Sequence, residues 1–137
     1  MNQLRSESVG DRLFVYGTLR EGQSARSLLA PSVVRSVAAT TSGALWAFPD
    51  GYPGVVQGPG VVVGEVVWLA DVAATLDRLD AYEGDEFARI PCNAVLNSGV
   101  HMSAWIYVLS DPGITRRAQR IESGDWAIYS SSSFRSA

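Results

Sequence analysis

Apolar residues along the chain fall into short runs separated by glycine, proline and small polar residues, a pattern that predicts several strands and few helices. Leu13, Phe14, Val15 and Tyr16 form the first run, a strand over 11–16 that stops at Gly17, where the backbone gains the freedom of a sharp turn. Residues 21–24 read as a loop, with Ser24 placed to cap a short helix through Leu28, Leu29 and Ala30 before Pro31 interrupts it. Residues 33–41 are β-rich. Residues 43–48 are either another strand or its continuation past a bulge, with Ala44, Trp46 and Phe48 on one face. Turn residues fill 49–54, and Gly60 breaks the chain again. From Val61 to Leu69 the sequence is almost continuously apolar, as a central strand covered on both faces requires, and Glu65 is the odd residue in it.

One segment, Val72 to Tyr82, has strong helical periodicity. Asp71 is a good N-cap for it, and Val72, Leu76 and Leu79 make one apolar stripe at i, i+4 and i+7. Glu83 lies four residues beyond Leu79, so the spacing predicts a carboxylate near the buried stripe, and Gly84 then ends the helix in the left-handed position. Residues 87–96 and 101–109 are two strands joined by a hairpin turn at Asn97-Ser98-Gly99, the second with bulk on both faces. A short helix is expected over 114–121. Ser123-Gly124-Asp125-Trp126 closes the ordered part, while residues 1–10 and about 128–137 read as flexible ends of a single domain spanning 1–137.

Composition narrows the chemistry. Hydrophobic content of 47% with 18% charged residues is that of a folded globular chain. All 11 basic residues are arginine, which excludes a Schiff-base or Walker lysine. The net charge of −3 and dispersed arginines argue against nucleic acid as a partner. One cysteine, Cys92, and one histidine, His101, supply neither a disulfide within the chain nor an ordinary zinc site, so no metal and no cofactor are expected. No apolar run reaches membrane-spanning length and residues 1–10 lack a signal-peptide core, which leads us to expect a soluble, cytoplasmic protein with no membrane association.

Familiar catalytic signatures are missing. There is no Gly-x-Ser-x-Gly, and a triad would have to use His101 at the start of a hairpin strand. Cys92 follows a proline in mid-strand without a cationic neighbour and reads as a buried inert thiol. What remains is Glu83. It is either a general acid/base whose pKa is raised by desolvation, or a helix-end carboxylate that accepts backbone N–H groups or pairs with Arg89. The turn after Tyr16 offers a second candidate, because free N–H groups beside the Thr18 hydroxyl make a small anion or oxyanion pocket; the alternative is a strand that ends at a turn with Tyr16 buried. Tyr52 is a pocket wall or a loop anchor, and Arg20 an anion-steering group or a solvated charge.

Taken together, five segments resemble the γ-glutamylcyclotransferase-like family of small, AIG2-like cyclotransferase domains. They are Phe14-Val15-Tyr16-Gly17-Thr18-Leu19, Gly51-Tyr52-Pro53-Gly54, Val63-Gly64-Glu65-Val66, Leu79-Asp80-Ala81-Tyr82-Glu83-Gly84 and Ser123-Gly124-Asp125-Trp126. The resemblance implies an α+β fold, a small mixed β-barrel with flanking short helices. It implies a metal-independent enzyme that releases 5-oxoproline from a small γ-glutamyl substrate, working as a monomer or homodimer. Glu83 matches the family's catalytic acid/base, and Tyr16, Gly17, Thr18 and Leu19 match the loop that binds the glutamyl part through backbone groups, with Tyr52 helping to shape the pocket. A non-catalytic module using the same cavity to bind a small metabolite or a protein partner is the alternative. One departure is visible: many members carry Tyr-x-Arg after the catalytic Glu-Gly, whereas this chain has Phe87-Ala88-Arg89.

Overall fold

Alternation of buried and half-covered positions shapes the computed structural model, which describes residues 10–136. The strands are β1 (Arg12–Val15), β2 (Val33–Ala47), β3 (Pro53–Leu69), β4 (Phe87–Leu96), β5 (His101–Leu109) and β6 (Gln119–Arg120), and the helices are α1 (Val72–Glu83) and α2 (Trp126–Ser136). Neighbouring strands follow the order β3-β1-β5-β4-β2, and β2 pairs back onto β3, so five strands close into a barrel while β6 extends the end of β2. Pairing is antiparallel except between β1 and β5, where Leu13 faces Trp105 in parallel. This is the small mixed barrel with short flanking helices that the resemblance implies.

Each central strand divides its side chains between two apolar layers. Phe14, Val62, Val66, Ala104, Ile106 and Val108 fill the barrel interior. Leu13, Val15, Val67, Leu69 and Tyr107 point to the other face and meet Leu76 and Leu79 of α1 together with Leu19, Ala25 and Leu29. The apolar run is thus covered on both sides from Val62 to Leu69, with Val61 left exposed, and the hairpin of β4 and β5 has the limits read from sequence.

Several local expectations give way to longer-range pairing. Residues 43–47 continue β2 past a register break between Ser42 and Ala44, the second of the two alternatives that the sequence left open. On the facing strand, β3 starts as early as Pro53 and carries residues 57–60 outward without β2 partners, so glycines and a proline hide a long strand from sequence. Asp71 does not cap α1 with its side chain. Its backbone is left-handed (φ 46°), and the start of the helix is anchored by the buried Thr75 hydroxyl, which donates to Ser32 Oγ at 2.8 Å. Ser24 likewise caps nothing; Pro31, lacking an N–H, accompanies two 3-10 turns, Arg26–Leu28 and Ala30–Ser32. The helix expected over 114–121 is a 3-10 turn, Pro112–Arg117, followed by β6, whose Gln119 and Arg120 are drawn into pairing with Ala47 and Trp46. From Trp126 the chain is helical through Ser136, over the stretch read as a flexible end; residues 1–9 and 137 lie outside the described residues. Among the described residues no helix is long and apolar enough to cross a membrane.

Candidate active site

At the end of the barrel where β1 stops and β4 begins, a cavity of about 390 Å³ opens between the β1 loop, the last turn of α1 and the turn before β3. Tyr16, Gly17, Thr18, Leu19, Tyr52 and Glu83, distant in sequence, all line it. The turn after β1 is closed by the Arg20 N–H, which donates to Gly17 O at 3.1 Å, and by the Ala25 N–H, which donates to Thr18 O at 2.8 Å. The N–H groups of Gly17, Thr18 and Leu19 themselves donate to no acceptor among the described residues. Gly17 is required by a close approach: a Cβ there would lie 2.5 Å from Cγ of Pro53, the residue next to Tyr52. The turn and the start of β3 therefore sit against each other only with glycine at this position.

Glu83 is half-buried at the C-terminus of α1, where Gly84 turns the chain with φ 70° and donates its N–H to Asp80 O. Among the described residues nothing hydrogen-bonds to the Glu83 carboxylate, and burial, followed by the charge of Glu86, pushes its pKa up from 4.5 to about 7. The pairing with Arg89 that sequence left open does not form. Arg89 instead grips Asp80, one turn earlier on α1, through Nε to Oδ1 at 2.8 Å and Nη2 to Oδ2 at 3.0 Å. The Tyr107 hydroxyl donates to the same Oδ1 at 2.6 Å, and the Arg89 guanidinium lies over the Trp105 ring. These contacts hold Asp80 below the usual carboxylate range, chiefly through the Arg89 hydrogen bonds, and fasten the last turn of α1 to β4 and β5.

Tyr16 is buried, its hydroxyl donating to the Tyr107 carbonyl at 2.7 Å. Burial and then the Glu83 charge raise its pKa, so it remains a neutral phenol in the cavity wall. Tyr52 combines both roles considered for it. It lines the cavity and stacks on Phe48 at 5.1 Å, and its hydroxyl donates to both Glu86 oxygens at 2.7 and 2.8 Å.

Sequence reasoning missed Ser24, Glu86 and Tyr107 as wall residues. Glu86 follows Glu83 by three positions across a 3-10 turn, a spacing that was available as a signal. Tyr107 had only its strand alternation to mark it. Arg20 does not line the cavity; it bonds Asp125 at 2.9 Å and lies 3.8 Å from Glu65, which also takes Arg26 at 3.0 Å. His101 is exposed at the start of β5, and Cys92 is half-buried with its thiol pushed up to about 11 by burial. Among the described residues no group of three His, Cys, Asp or Glu side chains is arranged to hold a metal ion.

Comparison with known proteins places this geometry among relatives. Residues 13–128 match the family described as Gamma-glutamyl cyclotransferase, AIG2-like. The chain is 36% identical over 104 residues to the gamma-L-glutamyl-butirosin B gamma-glutamyl cyclotransferase of Niallia circulans, across 70% of this chain and 65% of that protein, just under two thirds of its length. It is also 36% identical over 117 residues to the gamma-glutamylcyclotransferase family protein YtfP of Escherichia coli, covering 84% and 95% of the two chains. Among solved structures, YkqA from Bacillus subtilis superposes with a TM-score of 0.72 at 29% identity, over 91% of this chain and 42% of that one.

Proposed function

The chain belongs to the γ-glutamyl cyclotransferase, AIG2-like family, and on that premise we propose that it releases 5-oxoproline from a γ-glutamyl amine or γ-glutamyl amino acid, with Glu83 as general acid/base. The observation that carries this reading is a carboxylate that lines the cavity with no hydrogen-bond partner among the described residues, its pKa pushed up to about 7 by burial. A base is most useful when its pKa lies near the operating pH.

The α-amine of the substrate attacks the γ-carbonyl of the same molecule, forming the C–N bond of the five-membered ring. Glu83 takes the proton that the amine sheds, and the carbonyl oxygen gains the electron pair. As the tetrahedral intermediate collapses, the bond to the departing amine breaks and Glu83 returns its proton to that nitrogen. Nucleophile and electrophile share one molecule, so holding the folded conformer supplies the proximity advantage. The N–H groups of Gly17, Thr18 and Leu19, uncommitted among the described residues, are suited to the α-carboxylate or the developing oxyanion. Tyr16 and Tyr52 wall the glutamyl part. We read the enzyme as cytoplasmic, a monomer or homodimer acting on a small molecule.

The test is 5-oxoproline release from γ-glutamyl amides by wild type and Glu83→Gln together. Wild type is expected to turn over, and the variant to lose about 10²–10⁴-fold in kcat while staying folded. An equally active variant would remove Glu83 from the mechanism. No release by folded wild type would favour a metabolite-binding role for the cavity.

A further inference from the structure

The turn after β1 is polarised by the way its carbonyls are tied. Gly17 O accepts from the Arg20 N–H at 3.1 Å, Thr18 O from the Ala25 N–H at 2.8 Å and Leu19 O from Arg26 Nη1 at 3.3 Å. In a trans peptide the C=O and the next N–H point to opposite sides, so anchoring the first two carbonyls turns the N–H groups of Thr18 and Leu19 the other way. Those two anchors are backbone bonds of the turn itself. The third depends on a side chain: Arg26 reaches Leu19 O from a 3-10 turn, with the same nitrogen that meets Glu65 Oε1 at 3.0 Å.

Glu65 stands where this arrangement can be held. It pairs with Val15, the last residue of β1, and on its other side with Ala38 of β2. Next to it the strands are so close that a Cβ on Gly64 would run into Val15 O. The Glu65 side chain, 13% exposed, accepts from Arg26, from the Glu21 N–H at 3.3 and 3.4 Å and from the Ser36 hydroxyl at 3.3 Å, and Arg20 Nε lies 3.8 Å away. The donors from Arg20, Glu21 and Arg26 belong to the segment that directly follows the free N–H groups. Neither Glu65 nor any of these partners lines the cavity. For stability alone an apolar residue would serve in this strand, because ion pairs withdrawn from water are a weak source of it.

We propose that Glu65 is a positioning residue for the reaction, seating Arg26 on Leu19 O and holding the Glu21 N–H so that the N–H groups of Thr18 and Leu19 meet the substrate in one fixed direction. The role rests on the cyclisation reading above. Donors that are already aligned stabilise a developing charge without reorganising at the moment of reaction, and a loop free to rock loses that advantage while the barrel stays folded.

The test combines kinetics with amide NMR on Glu65→Gln and Arg26→Gln. Gln at position 65 keeps the shape and one acceptor oxygen but loses the charge that seats Arg26. kcat/KM for 5-oxoproline release from a γ-glutamyl amide is expected to fall about tenfold in each variant. The double variant should lose no more than the larger single loss, because both changes act through Leu19 O. The acid limb of the pH profile should stay at its wild-type position, since Glu83 and Glu86 are untouched. Amide signals of Gly17, Thr18 and Leu19 should broaden by exchange, while those of the β4–β5 hairpin remain as in wild type. Undiminished kcat/KM per folded molecule, losses that multiply in the double variant, a displaced acid limb or unchanged loop signals would each overturn the inference and leave the cyclisation reading standing. Should Glu65→Gln fail to fold, Arg26→Gln, on a turn outside the barrel strands, carries the kinetic and NMR predictions by itself. Absence of release by folded wild type would overturn the cyclisation reading and the positioning role with it.

Discussion

Burial and the neighbouring Glu86 charge both favour the protonated form of Glu83, and this has a consequence for stability as well as for chemistry. Between the ordinary value of 4.5 and about 7, the folded protein keeps a proton that the unfolded chain has released. Stability therefore falls as pH rises through that window, and above it the ionised carboxylate costs the fold at most about 3 kcal/mol. Glu83→Gln removes the charge and retains the shape. It is expected to be more stable than wild type by about 1–3 kcal/mol at pH 8 and about equal at pH 4, where the carboxyl is protonated in both states. Urea unfolding at the two pH values checks this, and a variant destabilised equally at both would show that Glu83 is a structural partner. Asp80, one turn away, has the opposite sign: its partners lower its pKa, so its contribution is present at neutral pH and lost on acidification.

At the scale of elements, α1 matters because it delivers Glu83, and its last turn is fastened by one clamp. Arg89 from β4 and Tyr107 from β5 both bond Asp80, while Trp105 lies under the guanidinium. Asp80 is well exposed, so the direct stabilisation is modest, about 1 kcal/mol after solvent screening. The larger effect is positional. Asp80→Asn is expected to lower kcat by about tenfold with the fold intact, because the proposed mechanism makes Glu83 the reacting group and small displacements of such a group are expensive in rate. An unchanged kcat would mean that α1 holds Glu83 without the clamp. This clamp was also the part least legible in sequence. The β4–β5 hairpin and the Leu76–Leu79 stripe could be read because their signals are local alternation, a turn dipeptide and a helical period. Asp71 misled because a good capping residue says nothing of the Ser32–Thr75 bond that anchors the helix start from another segment. Glu83, Tyr52 and the Tyr16–Leu19 turn came from spacing joined to family resemblance. Tyr107 meets Asp80 only after β5 has paired with both β1 and β4, and no local pattern carries that information.

The whole molecule supplies what no single element has. Closing five strands into a barrel leaves one end where β1 must exit, and Glu65, odd in its apolar strand, ties that exit down by accepting from Arg26, Ser36 and the Glu21 N–H. Arg20 links the same loop to Asp125, whose Oδ1 also caps the start of α2 through the Ala127 and Ile128 N–H groups. The loop that presents free N–H groups is thereby fixed from behind by charges that never enter the cavity. Docking α1 across this end desolvates Glu83, and that desolvation is the largest cause of its raised pKa. The near-neutral carboxylate is therefore a property of the assembled barrel, and under the proposed mechanism the pH dependence of the reaction reports on it. The decisive measurement is kcat/KM for 5-oxoproline release from a γ-glutamyl amide as a function of pH. Because the proposed mechanism uses the ionised form of Glu83 as the base, activity is expected to fall on acidification with an apparent pKa of about 7, and the residual rate of Glu83→Gln should lack that limb. An acid limb at the ordinary carboxylate value of 4.5, or a limb that persists in Glu83→Gln, would contradict the account.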